Sequence, residues 1–380
     1  MTDDHRSEHA YLAQAAAAAL RAGARAHPNP TVGCVLVRDG EVVGTGVTAP
    51  DGGPHAEAQA LTDAGERAAG STAYVTLEPC AHTGRTPPCA DALRDAGVSA
   101  VVFVEPDPNP VAAGGAQRLH EAGIEVRGPL PIDDPIRQAV RDGLNGFLAA
   151  AALTRPFCTL KLATTAAGAL TSSTRRWLTG KKARRAVHRL RADADAVLVG
   201  VGTVLADNPR LDVRHVETDV QPRAVVLDTA LSTPPSAAVV RDGTIIVTAT
   251  GADQVRRMAL VDRGARIVEV ATNGDGRVDI YAAFAAVAAQ QVQRVFAEPG
   301  VTLASALLNA SVVDRLVRHV ALDLGADDMG AFDGAFDADA NGPEIAVAPG
   351  ALPVEGWRTV RVGGAGQDLI VEQVPEEKAG

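Results

Sequence analysis

The sequence has few cysteines, few aromatic residues and no long apolar run. Four cysteines in 380 residues do not make a disulfide scaffold, and closely spaced thiols in a reducing compartment more often bind a metal. No stretch approaches the roughly 20 apolar residues that a membrane span requires. The amino terminus lacks the charged region and apolar core of a secretory signal. We therefore expect a cytoplasmic protein with no membrane partner.

Positive charge is also in short supply. The chain carries 36 Lys and Arg against 46 Asp and Glu, for a formal net charge of -10. Nucleic-acid binding draws most of its affinity from a basic face, which this balance does not favour. A small anionic substrate needs only a few local arginines or lysines. The expected partner is therefore a small molecule and not a nucleic acid.

Apolar residues are plentiful, at 46 % of the chain, which is enough for two cores. The length favours two domains. An alanine-rich run ends at Arg155-Pro156, and we place the boundary there, with domains at 1–150 and 155–375. Strand and helix patterns alternate in both halves, which is typical of an α/β fold with mainly parallel central pairing.

The hydrophobic patterns predict elements with definite bounds. In the first half, strands are expected at 32–37, 42–48, 73–77, 100–104 and 125–126, and helices at 7–22, 56–64, 89–96 and 132–148. In the second half, strands are expected at 157–163, 196–200, 224–227, 244–247, 294–297 and 317–322, and helices at 181–191 and 303–310.

One cluster of residue types indicates metal chemistry. His55, Cys80 and Cys89 are good zinc ligands, and Glu57 lies two residues after the histidine. Three protein ligands leave the fourth tetrahedral position open for water, as in catalytic zinc sites, and an adjacent glutamate can move protons to and from that water. The sequence therefore predicts a catalytic zinc site with Glu57 as its acid–base residue.

Two other interpretations of this cluster remain open. His55 and Glu57 could be a surface pair with incidental cysteines, or the zinc could be structural, with His82 as a fourth ligand. The remaining cysteines, Cys34 and Cys158, lie inside apparent strands and are expected to be core residues.

The motifs around this cluster resemble a known family. His-x-Glu followed by Pro-Cys and a second cysteine is the signature of zinc-dependent nucleobase deaminases. Here eight residues separate Cys80 from Cys89, and Pro-rich turns stand at 27–33 and 107–110. In these features the chain resembles the bifunctional deaminase–reductases of riboflavin biosynthesis. The resemblance implies a cytidine-deaminase-like three-layer domain followed by a dihydrofolate-reductase-like α/β domain, using Zn2+ and NADPH, and a homo-oligomer.

The resemblance also implies the reactions. The first is hydrolytic deamination of 2,5-diamino-6-hydroxy-4-(5-phosphoribosylamino)pyrimidine. The second is NADPH-dependent reduction of 5-amino-6-(5-phosphoribosylamino)uracil to the ribitylamino compound.

Substrate-binding residues of the deaminase half follow from the same resemblance. Asn29 would bind the pyrimidine, with a purely turn-forming role as the alternative. His82, Arg85 and Thr86 would hold the ribose or phosphate, unless their loop is simply solvated.

The second half carries further matching motifs. The residues implied to bind cofactor are Thr164, Trp177, Thr203, Asp207, Thr229 and the turn-helix segment Gly300, Val301, Thr302, Leu303, Ala304, Ser305 and Ala306. Those implied to bind substrate are Lys161, Arg175, Arg191, Leu211, Arg214 and Glu298, with Arg191 and Arg214 placed for the phosphate. Taken alone, the glycine turn could be only a helix cap and the arginines a solvated face.

Two departures from the family pattern affect the reductase half. Ala167 stands where a carboxylate is usual, and Arg175 where a substrate-binding serine is usual. A monofunctional deaminase with a structural or oligomerising second domain is therefore the main alternative. A zinc-stabilised binding module and a nucleic-acid deaminase are further alternatives, the latter disfavoured by the acidic balance.

Overall fold

The computed structural model describes residues 3–84, 87–165, 180–218, 220–321, 356–365 and 368–376. The chain divides into two units, Met1–Thr154 and Arg155–Gly380. No helix in this described part of the chain combines the length and apolar content that a membrane crossing requires.

The first unit is built on a mixed five-stranded sheet. Its strands are β1 (Gly33–Arg38), β2 (Glu41–Val47), β3 (Thr72–Leu77), β4 (Ala100–Glu105) and β5 (Glu125–Arg127), in the order β2-β1-β3-β4-β5. Asp39 and Gly40 both have positive φ, as a tight two-residue hairpin between β1 and β2 requires. β1 is antiparallel to both of its neighbours, and β3, β4 and β5 are parallel. Parallel pairing is thus confined to three of the five strands, which is less than the mainly parallel sheet that the sequence predicted. The β1–β2 hairpin forms the antiparallel edge.

Five α-helices are described in this unit. They are α1 (Asp3–Ala22), α2 (Ala56–Ala64), α3 (Cys89–Asp95), α4 (Gly115–Glu121) and α5 (Pro135–Leu153). Asp134 caps α5 by accepting a hydrogen bond from the Ile136 amide, with proline at the first helical position.

The packing of α2 on β2 depends on two glycines. A Cβ atom at Gly44 would lie 2.3 Å from the Ala60 carbonyl oxygen, and one at Gly46 would lie 2.0 Å from that of Ala56. No side chain fits at either position without moving backbone. The helix that begins next to His55 is therefore seated directly on the strand.

The second unit contains a nine-stranded sheet. Its strands are β6 (Phe157–Thr165), β7 (Ala196–Gly200), β8 (Arg223–Leu227), β9 (Ile245–Ala249), β10 (Arg266–Val270), β11 (Arg294–Ala297), β12 (Arg315–Ala321), β13 (Trp357–Ala365) and β14 (Asp368–Pro375). The order is β10-β9-β8-β7-β11-β6-β12-β14-β13. All neighbouring pairs from β10 to β12 are parallel, and β14 and β13 add an antiparallel edge.

The helices of this unit follow its parallel strands. They are α6 (Lys181–Ala192), α7 (Val201–Asp207), α8 (Gln254–Val261), α9 (Ile280–Ala288) and α10 (Val301–Asn309). After β7 the chain moves outward through β8, β9 and β10, whereas after β11 it moves to β12 on the other side. Ligands bind outside the carboxyl ends of parallel strands where the strand order reverses. The topology thus favours a site at the ends of β7, β11 and β6.

Candidate active sites

The three predicted zinc ligands converge in the first unit. His55 directly precedes α2, Cys80 follows β3 by three residues, and Cys89 is the first residue of α3. One ligand atom from each lies within 4.8 Å of the others, and both cysteines are buried. The His55 Nδ1 atom is 3.7 Å from the Cys80 sulfur and 3.3 Å from the Cys89 sulfur.

These separations fit a zinc ion. Tetrahedral zinc with ordinary Zn–S and Zn–N bond lengths places its nitrogen and sulfur ligands about 3.6 Å apart. The thiol chemistry fits at one of the two cysteines: hydrogen bonding from the Cys89 side chain outweighs burial and lowers the pKa of Cys80 to about 4, while the same interaction raises the pKa of Cys89. A thiolate is the form that binds the metal.

His82 does not join this cluster. Among the residues that the structure describes, the group of possible metal ligands contains the three predicted ligands and no fourth. His82 is half-buried, and its Nδ1 atom is buried with no hydrogen-bond partner in the described chain. The described side chains therefore match the open coordination of a catalytic site and not a closed structural one.

Glu57 lies beside the metal ligands in the first turn of α2. This residue is 4 % exposed. Burial raises the pKa of its carboxyl to about 7. A carboxyl group that titrates near neutrality can both accept and donate a proton, as a general acid–base residue must.

Glu78 supports the site and was not singled out from the sequence. Its carboxylate accepts hydrogen bonds from the backbone amides of Gly114 and Ala116 at 3.1 Å, and of Asp107 at 3.3 Å. It thereby ties the end of β3, next to Cys80, to the start of α4. Its place in the Glu-Pro-Cys motif was the available signal.

Gly115 fits closely against the same segment. A Cβ atom there would lie 1.7 Å from the Pro79 carbonyl oxygen, one residue before the zinc ligand Cys80. Only glycine allows α4 to approach this backbone.

The other predicted residues of this half are less defined. Asn29 is half-buried in the turn before β1, and its backbone N–H donates to the Ala26 carbonyl. Its role in binding the pyrimidine stays a prediction. Arg85 and Thr86 lie outside the described residues.

In the second unit, the predicted cofactor residues collect at the carboxyl edge of the sheet. Thr164 lies at the end of β6, Thr203 in the helix after β7, Thr229 two residues after β8, and Gly300 three residues after β11. These are the ends that the strand order marks as a binding crevice.

Two helices begin close together at this edge. Gly200 precedes α7 and Gly300 precedes α10, and neither provides a side-chain cap. A Cβ atom at Gly300 would lie 3.8 Å from the Thr203 hydroxyl, and one at Gly200 would lie 3.3 Å from Leu303. The first amides of a nine-residue helix suit a phosphate of the cofactor. Val301, Thr302, Leu303, Ala304, Ser305 and Ala306 form most of α10, and Asp207 ends α7 on an exposed surface.

Two predicted substrate residues bind each other. The Arg191 Nε atom donates to the Glu298 carboxylate at 2.6 Å, and its Nη1 atom donates to the Asp212 carbonyl at 2.9 Å. Burial alone would raise the pKa of Glu298, but Arg191 and, more weakly, Lys161 bring it below its ordinary value. Burial in turn lowers the pKa of Lys161, against the opposing effect of Glu298. These residues form one largely buried ionic cluster.

The cluster has a neighbour that sequence reasoning missed. His319 on β12 is fully buried, and neither ring nitrogen has a hydrogen-bond partner within the described residues. Burial, and then the charge of Lys161, lowers the pKa of its imidazole to about 4. A lone histidine in an apolar strand gave no signal in the sequence.

The remaining predictions divide between the described and undescribed parts of the chain. Leu211 is 2 % exposed and belongs to the core beneath α6 and α7, whereas Arg214 is exposed and pairs with Asp212. Trp177, Arg175 and the departure at Ala167 lie outside the described residues.

Comparison with known proteins identifies a family for each unit. Residues 5–105 match the cytidine and deoxycytidylate deaminase zinc-binding region, and residues 156–335 match the RibD C-terminal domain. The protein is thus a zinc-dependent deaminase of the cytidine-deaminase type joined to an NADPH-dependent reductase domain.

Relatives match over most of the chain. The riboflavin biosynthesis protein RibD of Escherichia coli K12 is 40 % identical over 337 residues, covering 84 % of this chain and 89 % of the relative. The protein of that name from Mycobacterium tuberculosis H37Rv is 38 % identical over 305 residues, covering 78 % and 79 %. The chain belongs to the RibD family of bifunctional riboflavin biosynthesis enzymes.

Solved structures agree over nearly the full length. Acinetobacter baumannii RibD, form 2, has a TM-score of 0.80 at 33 % identity, covering 98 % of this chain and 100 % of that one. A diaminohydroxyphosphoribosylaminopyrimidine deaminase/5-amino-6-(5-phosphoribosylamino)uracil reductase from Thermotoga maritima has a TM-score of 0.76 at 27 % identity, covering 98 % and 100 %. Both domains are present in this chain, which favours the bifunctional enzyme over a deaminase with a structural second domain.

Proposed function

We propose that His55, Cys80 and Cys89 hold the zinc and that Glu57 moves the protons in the deamination of 2,5-diamino-6-hydroxy-4-(5-phosphoribosylamino)pyrimidine. The observation that carries this proposal is the convergence of the three donors beside a buried carboxyl group. Asn29, His82, Arg85 and Thr86 are proposed to bind this substrate.

Zinc, when bound, lowers the pKa of a coordinated water so that a nucleophile exists at neutral pH. Glu57 takes the proton that the water gives up, delivers it to a ring nitrogen, and assists the departure of ammonia. Its pKa of about 7 suits both directions of transfer.

The second reaction is proposed for the carboxyl edge of the nine-stranded sheet. NADPH, when bound, would supply the hydride for the ribose carbon of the deaminated intermediate, and solvent would supply the proton for the ring oxygen as its C–O bond breaks. Thr164, Trp177, Thr203, Asp207, Thr229 and residues 300–306 are proposed to bind the cofactor. Lys161, Arg175, Arg191, Leu211, Arg214 and Glu298 are proposed to bind the substrate.

The test is to incubate the purified protein with the diaminopyrimidine, with and without NADPH. Ammonia release measures the deaminase activity of the first site, and NADPH oxidation measures the reductase activity of the second. Ammonia release without NADPH oxidation, even on supplied deaminated substrate, would return the second domain to a structural role.

Glu57→Gln separates chemistry from metal binding. We expect a 10²- to 10⁴-fold loss of ammonia release, typical of a removed acid–base residue, with zinc retained. Glu66→Gln, an exposed glutamate of the same unit, is the matched control. Full turnover by Glu57→Gln would contradict the assigned role.

Three further expectations belong to this proposal. We place the two functional domains at 1–150 and 155–375, expect a cytoplasmic protein, and expect it to assemble with copies of itself. Light scattering of the purified chain checks the assembly, and a monomeric mass would reject it.

A further inference from the structure

Arg118 on α4 contacts both ends of the segment that joins the two cysteines of the metal cluster. Its Nη1 atom donates to the Ala81 carbonyl at 3.1 Å, one residue after Cys80. Its Nη2 atom pairs with the Asp91 carboxylate at 2.8 Å, two residues after Cys89. One guanidinium group therefore links the residues that follow the two sulfur ligands, and we call this link the Arg118 bridge.

The helix that carries Arg118 is itself fixed to the end of β3. The Glu78 carboxylate accepts from the Gly114 and Ala116 amides, and Gly115 fits against the Pro79 carbonyl with no room for a side chain. The backbone of α4 is therefore held beside the backbone that leads into the first sulfur ligand. A side chain that starts from α4 has a defined origin.

Backbone contacts bring the two ends of the segment together. The Ala81 amide donates to the Ala112 carbonyl at 2.8 Å, and the Ala90 amide donates to the Cys80 carbonyl at 3.2 Å. The Cys89 amide donates to the Cys80 sulfur at 3.4 Å. These bonds fix the local path of the chain, and the Arg118 bridge adds a tie from the start of the segment to α3.

The form of the arginine side chain suits this task. A guanidinium group is planar and holds its donors at fixed separations, so two partners bound to one group are held at a fixed spacing from each other. The Arg118 side chain is 45 % exposed, and an exposed ion pair adds little to overall stability. We therefore expect its effect on local geometry and not on folding.

A zinc site gains from such a restraint. Tetrahedral zinc requires its two sulfur ligands at one separation. Each thiolate carries a negative charge, so two neighbouring thiolates repel each other before the metal binds. If the two segments could move apart, metal binding would have to order them again. A restraint that is present before binding removes that cost.

We propose that Arg118 is a positioning residue of the zinc site, which holds the Cys80 and Cys89 segments at the spacing that the metal requires and thereby raises zinc affinity. This inference rests on the proposed function, which assigns the two cysteines to zinc. Arg118 acts through the backbone next to one ligand and the helix that begins with the other.

The direct test is a competition titration of the full chain with a chromophoric zinc chelator. Arg118→Met keeps an unbranched apolar side chain but removes both contacts. It should weaken zinc binding about tenfold, at the lower end of the effect of groups that hold metal ligands in place. Wild-type zinc affinity in Arg118→Met would overturn the inference.

Arg94→Met is the matched control. Arg94 binds the other oxygen of Asp91 at 2.9 Å and also binds Asp95 at 2.7 Å, and all three residues belong to α3. Its side chain is 43 % exposed, close to the value for Arg118. Arg94→Met should keep wild-type zinc affinity. Equal weakening in the two methionine variants would assign the effect to charge beside Asp91 and overturn the bridge.

Arg118→Lys separates the positive charge from the two-point contact. A lysine keeps the charge but carries a single ammonium group in place of the fork. Most of the loss of zinc affinity should therefore remain. Full recovery of wild-type affinity in Arg118→Lys would show that charge alone suffices and would overturn the bridge.

The visible absorption of bound cobalt(II), used in place of zinc, distinguishes positioning from general stability. The spectrum depends on the geometry of the ligands around the metal, so Arg118→Met should change it. A loss of folding stability alone would leave the spectrum of the folded protein unchanged. A wild-type cobalt spectrum in Arg118→Met would assign Arg118 to stability and overturn the inference. Thermal unfolding, followed by circular dichroism, confirms that each variant is folded.

The zinc titration and the ammonia assay give separate answers. If the zinc-loaded wild type releases no ammonia from the diaminopyrimidine, the proposed function fails, while the titration still decides the role of Arg118. If the wild type releases ammonia and Arg118→Met binds zinc as tightly, the proposed function stands and the bridge is overturned.

Discussion

The two active regions of this enzyme are assembled in different ways. In the first unit, three donors from separate segments already lie at the spacing of metal ligands, with a buried acid beside them. In the second unit, Arg191 and Glu298 are paired with each other, and the proposed cofactor residues lie at strand ends and helix starts. A metal site depends on side-chain identity, whereas a dinucleotide site depends largely on backbone ends, which many sequences can provide.

The largest expected effect comes from removing a zinc ligand. Cys89→Ser should lose most of the bound zinc and about 10³-fold or more of the ammonia release. The variant keeps His55 and Cys80 but replaces one thiolate ligand with a hydroxyl group, which binds zinc poorly. Metal analysis and an ammonia assay measure both. NADPH oxidation on supplied deaminated substrate should persist, and its loss would show that the two units are not independent.

A matched variant sharpens that result. Cys158→Ala alters another fully buried thiol, in the second unit, that lies outside the metal cluster. It should keep the zinc content and ammonia release of the wild type.

The next effect tests how far the metal site depends on packing. Gly115→Ala should displace the Pro79 backbone and with it Cys80, because the new methyl carbon would start 1.7 Å from the Pro79 carbonyl oxygen. We expect a loss of about tenfold or more in zinc affinity and ammonia release, with a destabilisation of about 1–3 kcal/mol.

The control for this variant lies in the same unit. At Gly143, inside α5, a Cβ atom would meet only a Leu20 methyl group at 3.6 Å. Gly143→Ala should leave activity intact and add about 0.5–1 kcal/mol of stability. Equal losses in the two variants would reject the argument from close packing.

In the second unit, Glu298→Gln tests the buried ion pair. Leaving Arg191 charged and unpaired should cost about 3 kcal/mol at pH 7. Because the folded pKa of Glu298 lies below its ordinary value of 4.5, its contribution is present above pH 4.5 and is lost as pH falls through the folded pKa. Urea unfolding at pH 7 and at pH 3.5 should therefore show a smaller difference from the wild type in acid.

A double variant separates pairing from packing. Arg191→Leu combined with Glu298→Leu should cost less than Glu298→Gln alone, since no charge is left unpaired. Additive losses would mean that the two residues do not act as a pair.

The smallest expected effect concerns His319. Its folded pKa of about 4 lies below the ordinary 6.5, so the unfolded chain takes up a proton first as pH falls. The wild type should lose about 2 kcal/mol of stability through this residue between pH 7 and pH 5, and His319→Leu should not. Both tryptophans, Trp177 and Trp357, belong to the second unit, so their fluorescence follows its unfolding. Equal acid sensitivity in the two proteins would contradict a buried neutral imidazole.

The sequence predicted most of what is local and periodic. The ligands, Glu57 and the alternating strands of both units were accessible because each depends on residue type or short-range pattern. Several elements were not predicted. α9 has too uniform an apolar composition to show one face, and β13 is mostly exposed and carries two consecutive glycines.

Long-range contacts explain the other omissions. The role of Glu78 depends on amides 29 to 38 residues later in the chain. The resemblance placed both Arg191 and Glu298 at the substrate, whereas their pairing with each other joins residues 107 positions apart in the chain. No local pattern reports such pairings.

The glycines beneath α2 have one more consequence. Gly46 contacts the backbone of Ala56, the residue between His55 and Glu57, so strand and helix are in direct backbone contact there. The methyl group introduced by Gly46→Ala would displace the start of α2 and shift the His55 and Glu57 side chains together. The orientation of His55 and Glu57 is therefore more sensitive to substitution at Gly44 and Gly46, on the neighbouring strand, than to substitution on the outer face of the helix.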